Sequence, residues 1–149
     1  MEPLDLSCRP PRSCYVELDG LMVMARTIDK LRALLPGGNP GGYFIDGPIK
    51  GLSRFLLEQL RIDDRELSAA IAAAQSEDDV AAWLRAHTDA ARYPEINAVL
   101  RRIKPKHAEN PAVFAEIYAE TMALHPELET ILDIVDADDR RLFPQHLFG

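Results

Sequence analysis

Four cations near the N-terminus are the residues whose spacing offers chemistry. Arg9 and Arg12 flank two prolines, and Arg26 and Lys30 stand one helical turn apart. These guanidinium forks and the ammonium brought together would grip a phosphate or a carboxylate, because arginine pairs with either bidentately and lysine adds a point charge. Asp29 sits among them, and Tyr43 follows in a glycine-rich stretch. Arg9, Arg12, Arg26, Asp29, Lys30 and Tyr43 therefore form the candidate ligand-binding set. The competing reading is structural, with Asp29 and Glu17 neutralising the arm arginines in ion pairs. In an enzyme built on this set, Asp29 would be the base and the cations would hold a phosphorylated or carboxylated metabolite.

No other group assembles a competent constellation. Cys8 and Cys14 bracket Arg9-Pro10-Pro11-Arg12, and an extended diproline path separates them too far for a disulfide. Neighbouring arginines would lower a thiol pKa, but no general base accompanies either cysteine. His87, His107, His125 and His146 fall in no H-x-x-x-H or H-E-x-x-H arrangement. Asp133, Asp136, Asp138 and Asp139 lack the central glycine and closing glutamate of a calcium loop and read as a solvated helix end. No metal or cofactor is implied. Lys50-Gly51-Leu52-Ser53 runs in the wrong order for a phosphate loop, so residues 36–51 read as a long Gly/Pro-rich connector of the kind that often carries function.

The elements that must position these groups read as helices. Residues 1–12 form an extended, proline-rich arm. Ser13 is placed to cap a helix of about 20 residues, whose apolar face runs through Leu18, Leu21, Met24 or Ala25, Ile28, Leu31 and Leu35, with Gly20 inside it as a kink or close crossing. Pro36-Gly37-Gly38 ends it, and Tyr43 to Ile45 reads as a short extended piece. A short helix carries Leu52, Phe55, Leu56 and Leu60. Asp63 and Glu66 then form a capping box, and Ser76 caps a helix with Val80, Trp83 and Leu84 on one face. Further helices follow Pro94 and Asn110, and His125-Pro126 opens the last. The expectation is an all-α, single-domain bundle of about six to seven helices over residues 1–149. The match between 93–100 and 125–132 has only two copies, too few for a solenoid.

Net charge is −7, and all of it lies in the C-terminal part: residues 1–61 balance to +1 and residues 62–149 to −8. Nucleic acid is not an expected partner of such a surface. Residues 66–84 are spaced like a helix-turn-helix, yet Glu77, Asp78 and Asp79 would face phosphate at the reading end. No apolar run approaches the roughly 18 residues of a membrane span. Acids stand where a secretory signal would be basic and then apolar, so a cytoplasmic location is expected.

The segments Leu6 to Ser13 with Arg9-Pro10-Pro11-Arg12, Arg26 to Ala33 with Ile28-Asp29-Lys30, and Gly42-Tyr43 before Pro48 resemble a family of small, mostly bacterial proteins, domain of unknown function number five thousand sixty-nine. The resemblance implies a grouping over nearly the whole chain and no activity. Where several relatives show Asn-Cys-Pro, this chain has Asp46-Gly47-Pro48. The expected function is a non-catalytic domain binding a protein partner or a small anionic ligand. A small enzyme and an oligomerisation or scaffold module are the alternatives, and oligomeric state is not encoded in these signals.

Overall fold

A computed structural model describes residues 1–146, so the last three positions of the expected 1–149 domain lie outside the described residues. Among those described, the chain is all-α, with eight α-helices and two short 3-10 turns and no strand. The helices are α1 (Met24–Ala33), α2 (Leu52–Leu60), α3 (Asp64–Ala73), α4 (Glu77–His87), α5 (Tyr93–Leu100), α6 (Pro111–Ile117), α7 (Ala119–Leu124) and α8 (Ile131–Leu142). The count exceeds the expected six to seven because Tyr118, at φ −104° and ψ 17°, breaks one stretch into α6 and α7.

Helix α1 is the axis of the fold. Every residue in it except Arg32 is buried, including Arg26, Asp29 and Lys30. It packs on α2 and α3, while α7 packs on α8. A helix buried on all sides belongs in the middle of a core, and the charges it carries need partners there.

The long helix expected from Ser13 exists only over its last half. Asp19 and Gly20, at φ 52° and 84°, form a two-residue turn between Leu18 and Leu21, which exchange both backbone hydrogen bonds at 3.0 Å. Left-handed dihedrals at both central positions define the tight hairpin turn for which Asp-Gly is a preferred pair, so Gly20 is a turn residue and no helix kink. Leu18, Leu21, Met22 and Val23 are nonetheless buried, which is why the stripe looked continuous. Val23 takes a left-handed φ of 68°, rare for a β-branched residue, and its N–H donates to the Cys14 carbonyl at 3.0 Å. Ser13 caps nothing: its hydroxyl donates to Asp136, as does the Cys14 N–H at 2.9 Å.

Buried Asn97 on α5 clamps this turn. Its Oδ1 accepts from the Met22 N–H at 2.9 Å and its Nδ2 donates to the Gly20 carbonyl at 2.7 Å. The arm is held by pairing with the loop: Asn39 N donates to the Leu4 carbonyl at 2.9 Å, and Leu6 N to the Asn39 carbonyl at 2.7 Å. Gly41, at φ 58°, lies so close to the Leu6 carbonyl that a Cβ there would collide with it. Tyr43 to Ile45, expected as an extended piece, joins no strand, and the Tyr43 N–H closes a turn on the Pro40 carbonyl at 3.0 Å. Two other start signals hold, with Asp63 accepting from Arg65 N at 2.7 Å and Asn110 from Val113 N at 3.2 Å, although among the described residues Glu66 makes no return bond to complete a capping box. Ser76 stands at the start of α4 without a side-chain cap bond, and Asp79 accepts from the Gln75 N–H at 2.8 Å there instead. The last helix begins at Ile131 instead of Pro126, since the Thr130 hydroxyl accepts from Asp133 N at 3.3 Å. The Ile131 N–H is then spent on the Ile103 carbonyl at 2.9 Å, which ties α8 to the segment after α5.

Replacing Asn97 with alanine strands the buried Met22 N–H and the Gly20 carbonyl. Asn97→Ala is expected to lower unfolding free energy by about 1–3 kcal/mol in urea titrations, with an unchanged m-value.

Candidate functional site

Between α1, the 36–51 loop, α2, the end of α5, α6 and α8 lies a cavity of about 1090 Å³. That is just above the range for small-molecule sites, about 300–1,000 Å³. Phe44, Ile49, Leu52 and Phe55 form one wall, Val99 and Ile103 a second, and Phe114, Ile117 and Tyr118 a third. Ile131, Val135 and Leu142 close it from α8. Val99, Ile117 and Leu142 are also among the exposed large apolar residues, which gives the cavity a greasy mouth. Exposed Lys50, Arg102, His107 and Glu109 lie farther round the lining.

Two buried cations of the lining come from α1. Arg26 and Lys30 are one turn apart and both line the cavity. Arg26, 3% exposed, donates from Nη1 to Asp139 Oδ2 at 2.6 Å and to the Arg12 carbonyl at 3.2 Å. The Tyr43 hydroxyl donates to the other oxygen of Asp139 at 2.7 Å, and its ring lies 5.4 Å from the Arg26 guanidinium carbon. Burial, reinforced by the Asp139 charge, pushes the Tyr43 hydroxyl well above the usual phenol range. Arg26 is therefore neutralised from within the fold.

Lys30 is not. Its Nζ makes one long hydrogen bond, to the Ser53 hydroxyl at 3.4 Å, and among the described residues no carboxylate stands within ion-pair distance of it. Ser53 is itself bonded to Thr27 at 2.9 Å, and Thr27 donates to the Val23 carbonyl at 2.9 Å. The Phe44 ring centre lies 6.0 Å from Nζ. Burial, and after it the neighbouring Arg26 charge, push the Lys30 ammonium down to about 7.

The candidate set is thus divided. Arg26, Lys30 and Tyr43 meet at the cavity, whereas Arg9, Arg12 and Asp29 lie outside its lining. Arg12 grips Asp29 with Nε and Nη2, both at 3.1 Å, and Asp29 also accepts the Arg12 backbone N–H at 2.8 Å. Arg12 pairs with Glu77 as well. The picture of four cations converging with Asp29 as a base gives way to an ion-pair network at the arm and one unneutralised amine in the cavity. Arg9 is exposed and joins neither. Among the thiols, burial pushes Cys14 up to about 12, against activation, and Cys8 and Cys14 are both free. The four aspartates of α8 are not a solvated end: Asp136 and Asp139 are buried, Asp138 accepts from Thr121 at 2.6 Å and Asp133 from Tyr15 at 2.7 Å.

Asp139, Ser53 and Tyr118 are site residues that cation spacing could not find. For Asp139 a signal existed, since Leu132, Val135, Asp136 and Asp139 share one helical stripe, and an acid in an apolar stripe asks for a buried cation.

An all-α domain with a ligand-sized cavity and a buried amine is what the fold and this site define. The chain belongs to the family described as domain of unknown function (DUF5069), which matches residues 8–141. No curated protein matches the chain significantly.

Breaking the Arg26–Asp139 pair strands a buried charge, so Arg26→Ala is expected to cost about 3–5 kcal/mol in denaturant titrations. Lys30 behaves oppositely. Its folded-state pKa lies below its unfolded value, so between pH 7 and 9 the unfolded chain binds the extra proton and stability rises with pH. The expected slope from this group is up to about 1.4 kcal/mol per pH unit, and Lys30→Met should remove it while raising the melting temperature at pH 7.

Proposed function

We propose that this chain binds a small amphipathic carboxylate, with its apolar body along the cavity walls and its head on Lys30. The observation that carries this reading is the buried Lys30 amine, without a carboxylate partner among the described residues, in a cavity whose lining is mostly apolar. A lone buried ammonium is costly, and a bound carboxylate would supply the missing partner. A single buried cation matches a singly charged head better than a phosphate dianion: of the other cations in the lining, Arg26 is occupied by Asp139 and Lys50 by Glu58, and Arg102 is exposed. The exposed apolar mouth suits the tail of such a ligand.

Calorimetry with octanoate, and with octanol as the uncharged control, tests the reading. Octanoate should bind and octanol should bind at least about tenfold more weakly, with Lys30→Met erasing the difference. Because the bound head favours the ammonium, octanoate affinity should fall about tenfold per pH unit above 7. Absence of octanoate binding, or equal binding by Lys30→Met, would overturn the assignment.

A further inference from the structure

We infer that Lys30 is a nucleophilic amine that condenses with an aldehyde or ketone carried into the cavity on an apolar body, an activity that rests on the same ligand-accessible cavity. Three features of the geometry point to covalent chemistry beyond ion pairing. First, an amine meant only to hold charge within a fold is met by a carboxylate, and Lys30 has instead a single long contact with the Ser53 hydroxyl. That contact suits either protonation state, since the Ser53 oxygen accepts an N–H from the ammonium and from the neutral amine alike, leaving the amine lone pair free. Second, burial disfavours the ammonium, and the neighbouring Arg26, held in place by Asp139, disfavours it further, with Asp139 offsetting part of that charge. An amine poised near neutrality is a competent nucleophile at physiological pH.

Third, the same cavity lining holds a phenol with a hydrogen to donate. Tyr118 lines it from the junction of α6 and α7, its ring centre 4.7 Å from that of Phe114 and tilted by 35°, and its hydroxyl has no hydrogen-bond partner among the described residues. Burial pushes this phenol up to about 12, so it stays protonated and able to donate. Tyr43, by contrast, is committed to Asp139.

The step balances without an oxidant or reductant. The Nζ lone pair forms the new C–N bond while the carbonyl π pair moves to oxygen, to which Tyr118 donates a hydrogen bond. The resulting carbinolamine expels that oxygen as water together with the two original N–H hydrogens, leaving a C=N bond between Lys30 and the ligand. Apolar walls favour this dehydration by keeping bulk water from the imine.

The test is reductive trapping of the full chain at pH 7 with octanal and sodium cyanoborohydride, read by intact mass and peptide mapping. The expected result is a single adduct, heavier by the aldehyde less one oxygen and located at Lys30. It should form at least about tenfold faster than adducts at Lys50, Lys104 or Lys106, which are exposed. Octanoate should slow it by competition, Lys30→Arg and Lys30→Met should abolish it, and Tyr118→Phe should slow it about tenfold or more. Octanoate binding without trapping at Lys30 would overturn this inference and leave the binding assignment standing. Neither trapping nor octanoate binding would overturn both. Trapping spread evenly over the lysines would overturn the inference as well, and an undiminished rate in Tyr118→Phe would overturn the role of the tyrosine.

Discussion

The buried pair of Arg26 and Asp139 is the constraint on which the rest of the structure depends. It joins the first helix to the last across 113 positions of sequence, with both partners almost fully buried. Removing two charges from water is so costly that such a pair survives only when its remaining donors and acceptors are also satisfied. Here the Arg12 carbonyl and the Tyr43 hydroxyl do so, and each anchors a further segment. Through Arg12 the arm is fixed on α1, and through Tyr43 the glycine-rich loop is fixed over the cavity. One interaction thus sets the positions of α1, α8, the arm and the loop, which together enclose most of the polar lining.

From that constraint follows the singular status of Lys30. Helix α1 buries three charged side chains within five residues, and the fold supplies a counter-charge for two of them: Asp139 for Arg26 and Arg12 for Asp29. A fold selected for stability alone would place a leucine or methionine at the third, since an apolar group there would fill the same space without desolvating an amine. Retaining the amine at the wall of an open cavity is the pattern of a residue held for a ligand, with local stability given up where chemistry is needed.

Much of the fold was legible because helix signals are local. Asp63 and Asn110 cap where their types demand, and the acidic starts and prolines mark most helix beginnings. The segment from Ser13 to Val23 was misread because apolar residues at three- and four-residue steps satisfy a buried turn as well as a helix. Asp19-Gly20 was the overriding local signal, one of backbone dihedrals and not of hydrophobic period. Of the candidate site, Arg26, Lys30 and Tyr43 were legible as polar residues at suggestive positions. Their separation from Arg9 and Arg12 was not, because it is decided by Asp139 and Glu77, which are distant in sequence and acquire meaning only once α8 and α4 are packed. Cavities are harder still, since an apolar lining and an apolar core have the same composition.

The two activities proposed for Lys30 are alternatives governed by one proton. A carboxylate head needs the ammonium, and a carbonyl carbon needs the free amine. Burial and Arg26 place the amine near the middle of that choice at neutral pH. Whichever ligand enters selects the protonation state it requires, so an acid and the aldehyde of the same chain would compete for one site while stabilising opposite forms of it. The contact with Ser53 permits this, because its hydroxyl oxygen accepts an N–H from the ammonium and from the free amine alike, without any heavy atom moving. An aspartate at position 53 would lock the ammonium and end the choice. The serine there is thus as much a determinant of the chemistry as the lysine it faces.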